Sequence, residues 1–165
     1  MNIFYLSEDP KTAALYHYNK HKVKMILEAA QMLCTAHHHY NNSENIPYRK
    51  THYNHPTTQW VRESAANYLW TYWYMIHLGN EYKKQYGRIH LTIIKCSIPL
   101  KKLPPHIPGK PDHTLHSQPP QAMPDQYKTK RSVDAYWNYY EKDKAKIRNK
   151  DEEIITRPES LKKLK

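Results

Sequence analysis

Residues 55–87 read HPTTQWVRESAANYLWTYWYMIHLGNEYKKQYG, and this stretch decides the fold. Pro56 suits a first helical position, no proline follows it, and Gly87 suits the position just past a helix end. Val61, Ser64, Ala65, Tyr68, Tyr72, Met75, Ile76 and Gly79 recur at helical spacing and define a core stripe. Trp60, Trp70, Trp73 and Tyr74 lie around the rest of the cylinder, so the helix should be largely enclosed and form the spine. Gly79 leaves room for another helix to approach closely.

Working outward, a first helix starts at Asp9-Pro10, with Asp9 as N-cap, and runs to about Ala36. Its buried stripe is Tyr16, Asn19, Val23, Ile26, Leu27, Ala30, Leu33 and Cys34. Another face of the same helix carries His17, Lys20, His21, Lys24, Glu28 and Gln31. His37 to Asn45 breaks the pattern, and Pro47 secures a loop. Eight of the 12 prolines fall between Pro99 and Pro124. That density forbids regular helix or central strand and predicts an extended strap over the helices, acting as a lid or as an interface for a second copy of the chain. A third, short helix begins near Ser132, with Val133, Tyr136, Trp137 and Tyr140 as its apolar stripe. The expected architecture is all-α: a compact bundle of two long helices and shorter ones in one domain over residues 1–150, then a mobile charged tail over 151–165.

Composition excludes several classes. Three Gly are too few for the tight turns of an all-β barrel or sandwich. No apolar run approaches the ~20 residues of a membrane-crossing helix, and Met1 to Leu6 lacks the basic flank of a signal peptide. The reading is therefore of a cytoplasmic protein without a membrane partner. Cys34 and Cys96 set no disulfide framework. Walker, dinucleotide-binding, paired-Cys and nucleophile-elbow motifs are all missing, so no cofactor is expected.

Lys and Arg number 26 against 15 acidic residues, a formal charge of +11. Such a field attracts polyanions, nucleic acid and nucleotides foremost; the plainer alternative is a basic solubility surface. The last 65 residues mix 15 basic with nine acidic groups, whereas the first hundred set 11 basic against six acidic groups and hold nine of the 12 His. His17 and His21 stand one turn apart. With Lys20 and Lys24 on the same face to repel a cation, they read as anion donors or as an acid/base pair rather than metal ligands; the alternative is a pair of half-exposed surface histidines. His52 and His55 open the second helix, where free N–H groups suit phosphate, and Arg62 offers a bidentate clamp unless it joins an ion pair with Glu63. Trp60 and other aromatics provide stacking faces, although most must fill the core.

Three runs carry a resemblance: Tyr16-His17-x-x-Lys20-His21-x-x-Lys24-Met25, Thr51-His52-x-x-His55-Pro56-x-x-x-Trp60-x-Arg62-Glu63-Ser64, and Pro119-Pro120-Gln121-Ala122-Met123-Pro124-Asp125-x-Tyr127. Together they resemble a small, largely uncharacterised phage protein family, which would place the chain in the host cell cytoplasm. More distantly, the order of Ile3–Leu6, Lys20-His21-x-x-Lys24 and His55-Pro56 is similar to the phage pyrimidine-dimer DNA glycosylases. That resemblance implies a small basic helical protein in which an N-terminal Thr α-amine forms a Schiff base beside a helical Glu. This chain carries Met1-Asn2 at its start and His21 at the matching helical position.

Two functional expectations follow. In the first, His17 and His21 are the catalytic pair or anion donors, and Lys20, Lys24, His52, His55, Trp60 and Arg62 bind a phosphate-bearing nucleotide. The protein would then sequester a nucleotide immune signal of the host defence, or cleave it as a metal-independent phosphodiesterase. In the second, the basic face binds DNA for repair or modification. The first is preferred because only six of the 26 basic residues are Arg, which a duplex binder spends more freely.

Overall fold

The computed structural model describes residues 1–144 and 155–162. They form six α-helices: α1 (Pro10–Leu15), α2 (Asn19–His39), α3 (Pro56–Glu63), α4 (Ala65–Tyr86), α5 (Leu91–Cys96) and α6 (Ser132–Lys142). Four single 3-10 turns add to these, and no strand occurs among the described residues. The fold is all-α, as expected. Helices α2 and α4 pack along one another as the spine, α1 lies on α4, and α3 braces both.

Each expected long helix at the N-terminal side is broken once. Asp9 caps α1 by accepting from the Thr12 N–H at 2.9 Å, but the helix stops at Leu15. His17 sits in the break: its Nδ1–H donates to the Ala13 carbonyl at 2.6 Å, and its Nε2 accepts from the Tyr74 hydroxyl at 2.6 Å. Tyr18 is extended, and its N–H donates to the Tyr140 hydroxyl. His17 and His21 therefore do not share one continuous helix face. The register of α2 after the break also departs from the expected stripe. Met25 and His21 turn inward, while Leu27 is exposed.

The second break is at Ser64, which adopts φ −153° and ψ 157°. Its hydroxyl caps α4 by accepting from the Asn67 N–H at 3.1 Å, and the next N–H, of Ala65, donates to the Pro108 carbonyl at 2.7 Å. Asn67 then ties the break to the 99–124 segment. Its Nδ2 donates to the Trp60 carbonyl at 2.9 Å, and its Oδ1 accepts from the Ser117 N–H at 3.0 Å. That segment wraps the helices as a strap, as its prolines imply. At the far end of α4, Gly87 takes φ 69°, the left-handed value that favours glycine at a helix end.

Helix α5 was not legible in the periodicity. His90 caps it by accepting from the Thr92 N–H at 3.1 Å, the device His55 uses for α3 with Thr57. A Cβ placed on Gly79 would lie 2.7 Å from Ile93 Cγ1, so this glycine admits α5 against α4. Cys34 and Cys96 are free, buried thiols that meet between α2 and α5.

The core is aromatic and polar-tipped. Trp60, Trp70, Trp137, Tyr68, Tyr74, Tyr136 and Tyr140 are buried, and the Ile3–Leu6 segment runs buried among them. Their polar ends are satisfied on backbone or imidazole. Trp70 Nε1 donates to the Glu8 carbonyl at 2.8 Å, Trp137 Nε1 to Leu6 at 2.7 Å, and the Tyr68 hydroxyl to Leu100 at 2.7 Å. At the C-terminal side, Arg157 pairs with Asp134 at 2.7 Å, and Ile155 and Leu161 pack on the core. That part of the expected mobile tail is thus docked on α6. The expected domain limit at 150, and residues 151–154 and 163–165, lie outside the described residues.

Candidate functional site

Lys20, His21 and Lys24 stand on the first two turns of α2, on the side facing the N-terminal segment and the end of α6. Together with Met1, Asn2, Phe4, Met25, Glu28, Tyr139 and Lys144 they line a cavity of about 360 Å³, a volume within the range of small-molecule sites. Three ammonium groups face it against one carboxylate. Glu28 is already engaged, accepting from the Asn2 N–H at 3.0 Å and pairing with Lys24 at 3.6 Å. Among the described residues, no carboxylate pairs with Lys20 or Lys144. Lys144 instead hangs over the Tyr139 ring, 4.8 Å from its centroid, and 6.0 Å from that of Phe4. The cavity therefore holds uncompensated positive charge beside two aromatic rings.

Phe4 stacks on the His21 imidazole with centroids 4.4 Å apart and planes 10° from parallel. It does so at φ 39°, a left-handed conformation that is costly for a bulky side chain and is tolerated where surroundings over-determine it. The strain is spent on holding one ring flat against His21 at the cavity wall.

The chemistry of the two histidines differs from the expected acid/base pair. His17 is 1% exposed, both its nitrogens are taken by Ala13 and Tyr74, and burial, followed by the neighbouring His21, pulls its pKa down to about 3. It is a neutral structural ring that no substrate touches. His21 is also buried, and burial, then Lys144 and Lys24, lowers its pKa to about 4. The Tyr140 hydroxyl, which accepts from the Tyr18 N–H, meets His21 Nδ1 at 3.0 Å. With Tyr140 as donor, the ring proton resides on Nε2. His21 is then a neutral N–H donor suited to a phosphate oxygen, not a general base.

The remaining candidates lie elsewhere. His55 spends Nδ1 on capping α3, and His52 is exposed at φ 46°. Trp60 is buried with its Nε1 on Ser117 at 2.9 Å. Arg62 is 8% exposed, lies over the Tyr53 ring at 4.0 Å and donates to the Tyr53 carbonyl at 2.8 Å. It makes neither the phosphate clamp nor an ion pair with Glu63. None of these four lines the cavity: His55, Trp60 and Arg62 are spent on contacts within the fold, and His52 lies on the surface elsewhere. Sequence reading did not single out Met1, Asn2, Met25 or Glu28 as site residues, and it missed Phe4, Tyr139 and Lys144, which bring the rings and the third ammonium. Phe4 is the one Phe of the chain, which was a signal; nothing local marked the other two.

A larger cavity, about 500 Å³, lies between α1 and α4 and is lined by Lys11, His77, Asn80, Glu81, Lys83 and Lys84. Glu81 neutralises much of it, at 3.2 Å from Lys84 and 3.9 Å from Lys22, and among the described residues no Phe, Tyr or Trp ring lines it. Among the described residues no three His, Cys, Asp or Glu side chains converge as a metal site would require. Compared with known protein families, curated proteins and solved structures, the chain matches none.

Proposed function

We propose that the protein binds a phosphate-bearing nucleotide in the cavity between the N-terminal segment, α2 and α6, and that it holds this ligand rather than cleaving it. The observation that carries the reading is three ammonium groups and a neutral imidazole donor around two aromatic faces, with Glu28, the one carboxylate among the described lining residues, already engaged. Lys20, Lys24, Lys144 and His21 Nε2 take the phosphate oxygens, and Tyr139 takes the base. His17 is walled off from the cavity, with both ring nitrogens on Ala13 and Tyr74, so the expected pair of histidines does not face the ligand. Sequestration of a nucleotide immune signal is the biological role this chemistry fits.

Thermal-shift screening against mononucleotides, cyclic dinucleotides and ADP-ribose derivatives tests it. A ligand at 100 times its Kd stabilises the protein by about 2.7 kcal/mol. Replacing Lys20 and Lys24 by Glu should weaken that ligand about 100-fold, at roughly 1.4 kcal/mol per residue, and leave the melting temperature without ligand nearly unchanged, because both lysines are exposed. No stabilising ligand, or equal binding by the double variant, defeats the proposal.

A DNA repair reading is favoured by one observation: Glu28 lies against the Asn2 N–H, a helical carboxylate beside the N-terminal segment. It requires a free α-amine there. Borohydride reduction with abasic-site duplex should then cross-link protein to DNA, and Glu28→Gln should abolish the product; absence of a cross-link removes this reading.

A further inference from the structure

Helix α5 is fixed from behind and bare in front. On its inner side, Ile93 fills the space at Gly79, the Tyr72 hydroxyl donates to the Ser97 carbonyl at 2.7 Å, and His90 packs edge-on against Tyr82 at 4.9 Å. On its outer side Leu91 is 60% and Ile94 62% exposed, and Ile98, two residues past the helix end, is 84% exposed, at spacings of three and four. Tyr86 at the end of α4 and Ile89 in the turn that follows are exposed as well. Large aliphatic side chains set side by side in water mark a surface that meets something.

The surrounding charge says what. From residue 82 to 111 the chain carries seven basic residues and no acidic one. Arg88, Lys95, Lys101 and Lys102 are all exposed, and among the described residues none has a carboxylate partner. A second copy docking by this same face would bring like charges together. Exposed aliphatics carried on a stretch of chain whose charged Lys, Arg, Asp and Glu side chains are all basic match an anionic lipid surface. The aliphatics would sit below the headgroups, with the lysines and arginine among the phosphates.

We propose that the α5 corner docks the protein peripherally onto an anionic bilayer. No helix is long and apolar enough to cross one, and none is needed. The face is separate from the candidate nucleotide cavity, so the two proposals stand or fall independently.

Co-sedimentation of the full chain with vesicles of phosphatidylcholine, alone or mixed with phosphatidylserine, tests this. The protein should pellet with the mixed vesicles and bind neutral ones at least about tenfold more weakly. Replacing Ile94 and Ile98 together by Ser keeps the charge and should weaken binding to mixed vesicles at least about tenfold, with an unchanged melting temperature because both side chains are already in water. The Lys20→Glu, Lys24→Glu variant should bind the vesicles like the parent protein. Failure to pellet with mixed vesicles at low salt overturns the proposal. So does full retention by the Ile variant, which would reduce the effect to charge, or loss by the cavity variant, which would move it to the other site. Binding to an acidic protein with none to vesicles would equally overturn it.

Discussion

Acidification from pH 7 to pH 4 is expected to unfold the protein cooperatively. His17, His21 and His37 are held neutral inside the fold, with pKa values lowered chiefly by burial to about 3, about 4 and about 4. In the unfolded chain each titrates near 6.5. The folded state thus gains its full advantage above pH 6.5 and loses it as pH falls, because only the unfolded chain takes up the proton. Each ring that stays neutral costs about 1.4 kcal/mol per pH unit below that point. His17 alone therefore removes roughly 3 kcal/mol by pH 4, and the other two act in the same direction. Against a usual margin of about 5–15 kcal/mol, the total is decisive. Far-UV circular dichroism and tryptophan emission followed against pH should show one transition below pH 6. A native spectrum retained at pH 4 would mean that these rings are not buried as described.

Trp70→Ala should be the most damaging single truncation. The Trp70 ring is fully buried, stacks on Tyr74 at 5.2 Å, and touches Tyr5, Trp60 and His116. Its Nε1 satisfies the Glu8 carbonyl between the N-terminal segment and α1. Removing it opens a large cavity and orphans that carbonyl, a loss of about 4 kcal/mol and a drop in melting temperature of roughly 10 °C for a chain of this length. Trp73, half-buried about four turns before Gly87, supplies the control: Trp73→Ala should cost much less. Equal losses for the two variants would contradict the packing described here.

Helical class, the spine, the Gly87 terminus, the Gly79 contact and the wrapping strap were all legible because each rests on local chemistry: periodicity, proline density, a missing Cβ. The breaks at residues 16–18 and at Ser64 were not. Each is stabilised by partners remote in sequence, Tyr74 and Tyr140 for the first, Pro108 for the second. The site divided in the same manner. Lys20, His21 and Lys24 converge because consecutive turns of one helix present them together. His55, Trp60 and Arg62, from a second run, are used structurally, since a ring nitrogen or guanidinium near a helix start finds protein partners first, and His52 is left on the surface. Lys144 and Tyr139 join from the far end of the chain, where no local pattern could announce them.

The hydroxyl and imide-like tips that stud this interior restrict how the sequence can drift. In an oily core, leucine and isoleucine trade places with little loss, since dispersion has no direction. Here a change from Tyr68 or Tyr74 to Phe strands His37 or His17 without its partner, and restoring the balance takes a second, coordinated change. Substitutions should therefore be accepted in matched pairs, so that neutral variation in this protein would be sparse and strongly correlated between distant positions.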